Sequence, residues 1–251
     1  MSAQSYGVRA PLLVIGAHAF DAEVMAGALV AEWTRQGGRG VLVHVSLGER
    51  GHHSKSSADY AAQKRGEALE AARLLGAETC FLDQPDTDPT GADRVADEIA
   101  GIVRSVRPGY VVTHWRGSWH PDHVGAHSAT MRGVLLAGLA ATTDTGVAHA
   151  PRLLLFGENW EDGEDFQPDT YLDVTPSYET WLQALNAYEI GRIPAPGFPY
   201  QDYYASLARM RGCVVGTRYA EAFQSAPIAT MAGLGLGVRD RWETDGGAVE
   251  P

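Results

Sequence analysis

Cysteine is nearly missing from this 251-residue chain: Cys80 and Cys213 are the only two, far apart in sequence and each in apolar company. That excludes a disulfide framework and fits a reducing compartment. Positive charge is also short, with 20 Lys and Arg against 31 Asp and Glu and a formal net charge of −11. A nucleic-acid partner is therefore not expected, because phosphate recognition needs an excess of basic side chains. A few local arginines still suffice for a small anionic substrate. No apolar run approaches the ~20 residues that span a bilayer, and the first residues lack the basic start and apolar stretch of a signal peptide. The expectation is a cytoplasmic protein that acts on a small molecule and has no membrane partner.

Hydrophobic residues make up 45% of the chain, enough for the core of one large α/β domain. Leu12-Leu13-Val14-Ile15 is a continuous apolar run of the kind that forms a strand buried on both faces of a parallel sheet. A helix follows over 22–36 and closes at Gly37-Gly38, and a second buried strand covers Val41 to Val45. Further helices are expected over 60–75, 91–106 and 122–141, with strands at 79–82 and 110–114. This alternation predicts a three-layer, doubly wound, mostly parallel sheet with helices on both faces. The pattern loosens after Thr142. We expect one domain with its core over about 10–175, strands at 153–156 and 170–174, and a helical and irregular C-terminal extension over 176–251. The late proline-rich segment and the glycine-rich tail from Gly233 have no evident place in the core. Packing on a second copy of the chain, in a homo-oligomer, is one expectation for them.

Two loops carry the chemistry. His18 and Asp21 follow the first strand, and His120-Pro121-Asp122-His123 follows the strand that ends at His114. In an open parallel sheet both loops open at the carboxyl edge, where ligands bind. His18, Asp21 and His123 offer two imidazoles and a carboxylate, the three-ligand set of a catalytic zinc with one open position. Iron(II) is compatible with the same donors. The other histidines, His44, His52, His53, His114, His127 and His149, read singly as ordinary surface or core residues. Trp115, Trp119 and Trp160 near the expected mouth suit packing, or the wall of a pocket for a sugar or planar acid.

These motifs resemble those of the LmbE-like, or PIG-L, deacetylase family of zinc enzymes. Ala17-His18-Ala19-Phe20-Asp21-Ala22 falls on the family's Ala-His-Pro-Asp-Asp-Glu motif, and His120-Pro121-Asp122-His123 matches its second motif in full. Gly48-Glu49-Arg50-Gly51 and Lys64-Arg65-Gly66-Glu67 are similar to further family segments. The resemblance implies that His18, Asp21 and His123 bind the metal. It also implies that His120 steadies the tetrahedral intermediate or protonates the leaving group, and that Asp122 orients His120, though Asp122 also suits a helix cap. The family's general base, the first Asp of its Asp-Asp pair, is Phe20 here, and a phenyl ring cannot take a proton.

Glu23, Glu49 and Glu158 are the replacements considered. The alternative is different chemistry. An uncharged residue before the metal Asp, the Gly48–Gly51 loop and Ala208-Arg209-Met210-Arg211-Gly212 resemble the 4-oxalomesaconate hydratase branch, which adds water across a double bond beside carboxylates. A bidentate arginine clamp for such a carboxylate would come from Arg50 or Arg65, with Arg209 and Arg211 as further candidates. The leading expectation is metal-dependent removal of an N-acyl group from a small, sugar-like substrate. Hydration of an unsaturated oxo-acid comes second, and a non-catalytic metal- and ligand-binding relative third.

Overall fold

Every residue of β1 (Leu12–Gly16) is buried. Leu12 and Val14 enter one hydrophobic cluster while Leu13 and Ile15 enter another, so the strand separates two cores. In this computed structural model, which describes residues 9–88, 92–140, 147–193 and 197–227, β1 pairs in parallel with β2 (Gly40–His44) and with β4 (Tyr110–His114). Beyond them lie β3 (Glu78–Phe81) and β5 (Leu153–Gly157), also parallel to their neighbours. The chain winds outward from β1 to β3, then returns to β4 on the other side. That reversal is the switch point of a doubly wound sheet, where a crevice opens beyond the strand ends.

The helices α1 (Asp21–Arg35), α2 (Ser57–Leu75) and α5 (Tyr178–Asn186) contribute to the cluster that holds Leu12 and Val14. On the opposite face α3 (Ala92–Val106) and α4 (Pro121–Gly138) cover Leu13 and Ile15. α2 begins three residues before the expected Tyr60, because Ser56 caps it by accepting the Asp59 amide. It ends at Gly76 with φ +68, the left-handed stop that glycine allows.

One expectation needs correction. The segment after residue 176 is not only helical and irregular: past α6 (Tyr200–Val215), Ala220–Ser225 forms β7. This strand lies between β5 and β6 (Thr170–Asp173), antiparallel to both, giving a seven-stranded order β3-β2-β1-β4-β5-β7-β6. The sheet that reaches residue 173 is therefore completed by residues 220–225. Ala-Glu-Ala-Phe-Gln-Ser lacks the β-branched residues that mark a strand, and burial of its Glu221 could not be read from the sequence. The tail from Gly233 lies outside the described residues.

Glu221 takes the Ala28 and Leu29 amides of α1 on its two oxygens, at 3.0 and 2.6 Å. Burial outweighs these bonds and pushes its pKa up to about 8. The folded chain therefore keeps a proton that the unfolded chain loses near pH ~4.5. Its contribution is fully present below that pH and disappears as pH rises through 8. Thermal melts should show wild type losing stability from pH 5 to 8.5, by up to about 1.4 kcal/mol per pH unit from this group. Glu221→Gln should remove that part of the slope; an unchanged slope would refute the assignment.

Candidate metal centre

β1 ends at Gly16, where a Cβ would sit 2.8 Å from the Ala22 amide nitrogen, so glycine lets α1 start tightly against the strand. In the intervening turn Asp21 Oδ2 accepts the His18 amide at 2.7 Å and lies 3.1 Å from His18 Nδ1. Pro121 opens α4 behind its N-cap His120, whose Nδ1 accepts the Asp122 amide at 3.3 Å. The two turns meet. His123 Nε2 is 3.4 Å from Asp21 Oδ2, and the His18 and His123 rings are 5.5 Å apart. His18, Asp21 and His123 thus converge as a ligand-competent trio.

The surroundings fix which ring nitrogens are free. His18 Nε2 faces Asp122 at 3.1 Å and Asp86 at 3.3 Å, so it carries the proton and leaves Nδ1 on the Asp21 side. His123 Nδ1 donates to Asp162 Oδ1 at 2.8 Å, which leaves the Nε2 lone pair free. That Nε2 is buried without a hydrogen-bond partner. A buried acceptor beside a carboxylate and a second imidazole fits a divalent cation, and a carboxylate behind a ligating histidine is the usual support for one.

The charge balance agrees. Asp21, Asp86, Asp122, Asp162 and Glu161 all crowd His18 and His123. Burial opposes a charge on His18, but its bonds to Asp122, Asp21 and Asp86 prevail and hold its pKa well above the ordinary value. Burial likewise opposes charge on His123, yet Asp21 and Asp162 push it up to about 10. Asp21 is itself held well below the carboxylate range, because His123, His114 and His18 overcome its burial. The cluster draws in positive charge, which a metal ion supplies as well as a proton does.

Asp162 and His114 had no signal in the sequence. Asp162 also accepts from His114 Nδ1 at 2.7 Å, while His114 Nε2 accepts the Ala17 amide at 3.0 Å. His114, read from sequence as an ordinary residue, therefore ties the first loop to the acidic loop after β5. Asparagine at 162 offers one acceptor for two imidazole N–H groups. Asp162→Asn should weaken metal binding by about 10- to 100-fold in chelator competition; unaltered affinity would remove Asp162 from the site.

Two further expectations change. Asp122 does not orient His120 through its carboxylate. Its Oδ2 takes the His18 Nε2 proton and the Thr87 amide at 3.0 Å, so it steadies a metal ligand, and the His18 bond holds its pKa at about 2. The hydrogen bond between His120 and Asp122 is made by the Asp122 backbone amide. Arg65 is not brought to the cluster. It pairs with Asp83 and lies over the Phe81 ring at 4.3 Å, on the side of β3. Arg50 stays at the rim, its amide on Asp86 and its Nη1 on Thr87 at 2.7 Å. Among the replacement bases, Glu23 is fully buried and accepts from Tyr188 at 2.7 Å. Glu49 accepts the Asp86 amide at 2.9 Å, and Glu158 pairs with Arg211. Phe20, with φ 105, turns its ring onto Tyr188 and Tyr200 at 5.0 and 5.3 Å.

A His/Asp cluster competent to hold a cation thus lies at the switch point of a doubly wound sheet. Residues 13–134 match the family model described as PIG-L, GlcNAc-PI de-N-acetylase. The chain is 28% identical over 210 residues to 4-oxalmesaconate hydratase of Pseudomonas putida, covering 80% of this chain and 79% of that one. It is 32% identical over 180 residues to a 1D-myo-inositol 2-acetamido-2-deoxy-alpha-D-glucopyranoside deacetylase of Streptomyces scabiei, covering 60% and 53%. The chain spans about half the length of the inositol deacetylases that it matches. Among solved structures, 4-carboxy-2-hydroxymuconate hydratase from Pseudomonas putida superimposes with a TM-score of 0.76 at 25% identity, covering 87% of this chain and 96% of that one. The N,N'-diacetylchitobiose deacetylase of Pyrococcus horikoshii gives the same TM-score at 22% identity over 86% and 84%, a likeness of fold.

Proposed function

We propose that this chain is a metal-dependent hydrolase that removes an acyl group from an amide nitrogen of a small, sugar-like molecule. The observation that carries the reading is the free, buried Nε2 of His123 facing Asp21, with the His120 ring 4.7 Å from that of His123. His18, Asp21 and His123 hold the cation, for which zinc is the choice and iron(II) the runner-up. When bound, it polarises the acyl carbonyl and lowers the pKa of water.

His120 handles the other proton. Its Nδ1 is occupied by the Asp122 amide, so the neutral ring carries hydrogen on Nε2. Burial and the charges of His18 and His123 lower its pKa, so the resting ring is uncharged. As the C–N bond breaks, that proton goes to the departing nitrogen. Trp119, 66% exposed, and Trp160, 5.7 Å from it, give the mouth an aromatic side, and Arg50 supplies a cation at the rim.

Hydration of an unsaturated oxo-acid is the second reading. Phe20 in place of the acid favours it, as does the hydratase relative, which spans most of both chains. There the proton of His120 would go to carbon while water's oxygen joins the other end of the double bond. Two assays separate the readings. Acetate released from N-acetylated amino sugars supports hydrolysis, whereas loss of enoate absorbance with no acid released supports hydration. Inactivity towards both panels with metal bound would leave a non-catalytic relative. The free thiols Cys80 and Cys213 are compatible with a cytoplasmic site of action. Among the described residues no helix is long and apolar enough to cross a membrane.

A further inference from the structure

Phe20 offers the reaction no carboxylate. The acidic loop after β5 brings Glu161 Oε2 to 3.3 Å from the free Nε2 of His123. Donor atoms around one tetrahedral zinc, each ~2.0–2.1 Å from it, lie ~3.3 Å apart. His123 Nε2 to Asp21 Oδ2 is 3.4 Å, and His18 Nδ1 to Asp21 Oδ2 is 3.1 Å. Glu161 therefore reaches the same free nitrogen that Asp21 reaches, from the other loop.

Its placement is built in. The neighbouring Asp162 is held by His114 and His123, and the Glu161 carbonyl accepts the Trp119 amide at 3.3 Å, next to His120. Its side chain is 14% exposed, so it reaches the trio from the solvent side. The candidates that the sequence offered are engaged elsewhere: Glu23 with Tyr188, Glu49 with the Asp86 amide, Glu158 with Arg211.

We propose that Glu161 is the catalytic carboxylate that replaces the acid missing at position 20. Resting on the hydrolase reading, the step runs as follows. Water's oxygen bonds to the acyl carbon, its proton passes to Glu161, and the carbonyl π pair moves onto oxygen. The pair on oxygen then re-forms the carbonyl as the C–N bond breaks, the nitrogen takes the His120 Nε2 proton, and the proton held by Glu161 restores His120. For hydration, Glu161 takes the same proton while the oxygen bonds to the alkene carbon.

The test uses Glu161→Gln in the full chain, reconstituted with zinc for turnover and with cobalt(II) for spectroscopy. Azide, a small anionic ligand, is titrated by visible absorbance. Removing a negative charge beside His123 should tighten azide binding by about tenfold or more, and unchanged or weaker binding overturns the placement. With whichever substrate wild type turns over, kcat should fall by about 10²–10⁴-fold while KM stays within a few-fold and metal content stays at that of wild type. Loss of metal from the variant makes Glu161 a fixed ligand and overturns the proposal. So does a kcat loss confined to Glu49→Gln. If wild type turns over neither substrate class the functional reading fails, and the azide titration still decides whether Glu161 faces the open position.

Discussion

His123→Ala is expected to leave a folded chain without stoichiometric metal, its turnover reduced by roughly 10³-fold or more, since metal polarisation is worth several kcal/mol and each ~1.4 kcal/mol is tenfold in rate. His123 is 1% exposed, but it lies in the first turn of α4 at the crevice rather than in either hydrophobic cluster. The metal-free variant should melt below metal-free wild type, because buried Asp162 loses a hydrogen bond and Asp21 a charge partner, and only wild type gains stability when the ion is added. The pH dependence has a definite sign. Carboxylates raise the pKa of His123 to about 10, so a proton competes with the metal for Nε2. Affinity should rise with pH across the neutral range and fall in acid. Calorimetric titrations in several buffers check this through the protons released. A variant that binds the ion as tightly as wild type would show that His123 is not a ligand.

His120→Ala should keep its metal and still lose about 10²–10⁴-fold in kcat, the usual value of a positioned acid. The substitution also removes the N-cap of α4, because His120 Nδ1 accepts the Asp122 amide. That costs roughly 1 kcal/mol of stability. His120→Asn separates the two roles: asparagine caps well but donates no proton of suitable pKa. The melting temperature should recover in His120→Asn while the rate does not. Recovery of both would reduce His120 to a helix cap.

Much of this organisation is legible in the sequence because it is local. The apolar run Leu12–Ile15 specifies a strand buried on both faces, and Pro121 marks the start of α4, so the positions of His18, Asp21 and His123 at one sheet edge follow from pattern alone. What the sequence hides is pairing over distance. Asp162 joins His114 and His123 across loops with no characteristic spacing, and Glu161 reaches His123 from the same loop. Asp122 sits two residues from His120, which suggests a partnership. The helical turn instead hydrogen-bonds its carboxylate to His18 and its amide to His120. Arg65 shares a family-like segment, yet it belongs to a side of α2 that meets Asp83 and Phe81. Phe20 is legible as a missing acid, but its role as aromatic packing on Tyr188 and Tyr200 depends on chain more than 160 residues away.

The central claim is a single cation held by His18, Asp21 and His123. Elemental analysis of the purified chain, stripped and then reloaded with zinc, tests it most directly when Asp21→Asn/His123→Ala is carried alongside. The account predicts one ion per wild-type chain and essentially none in the double variant. Wild type that takes up no stoichiometric divalent ion, or a double variant that holds as much as wild type, would contradict it.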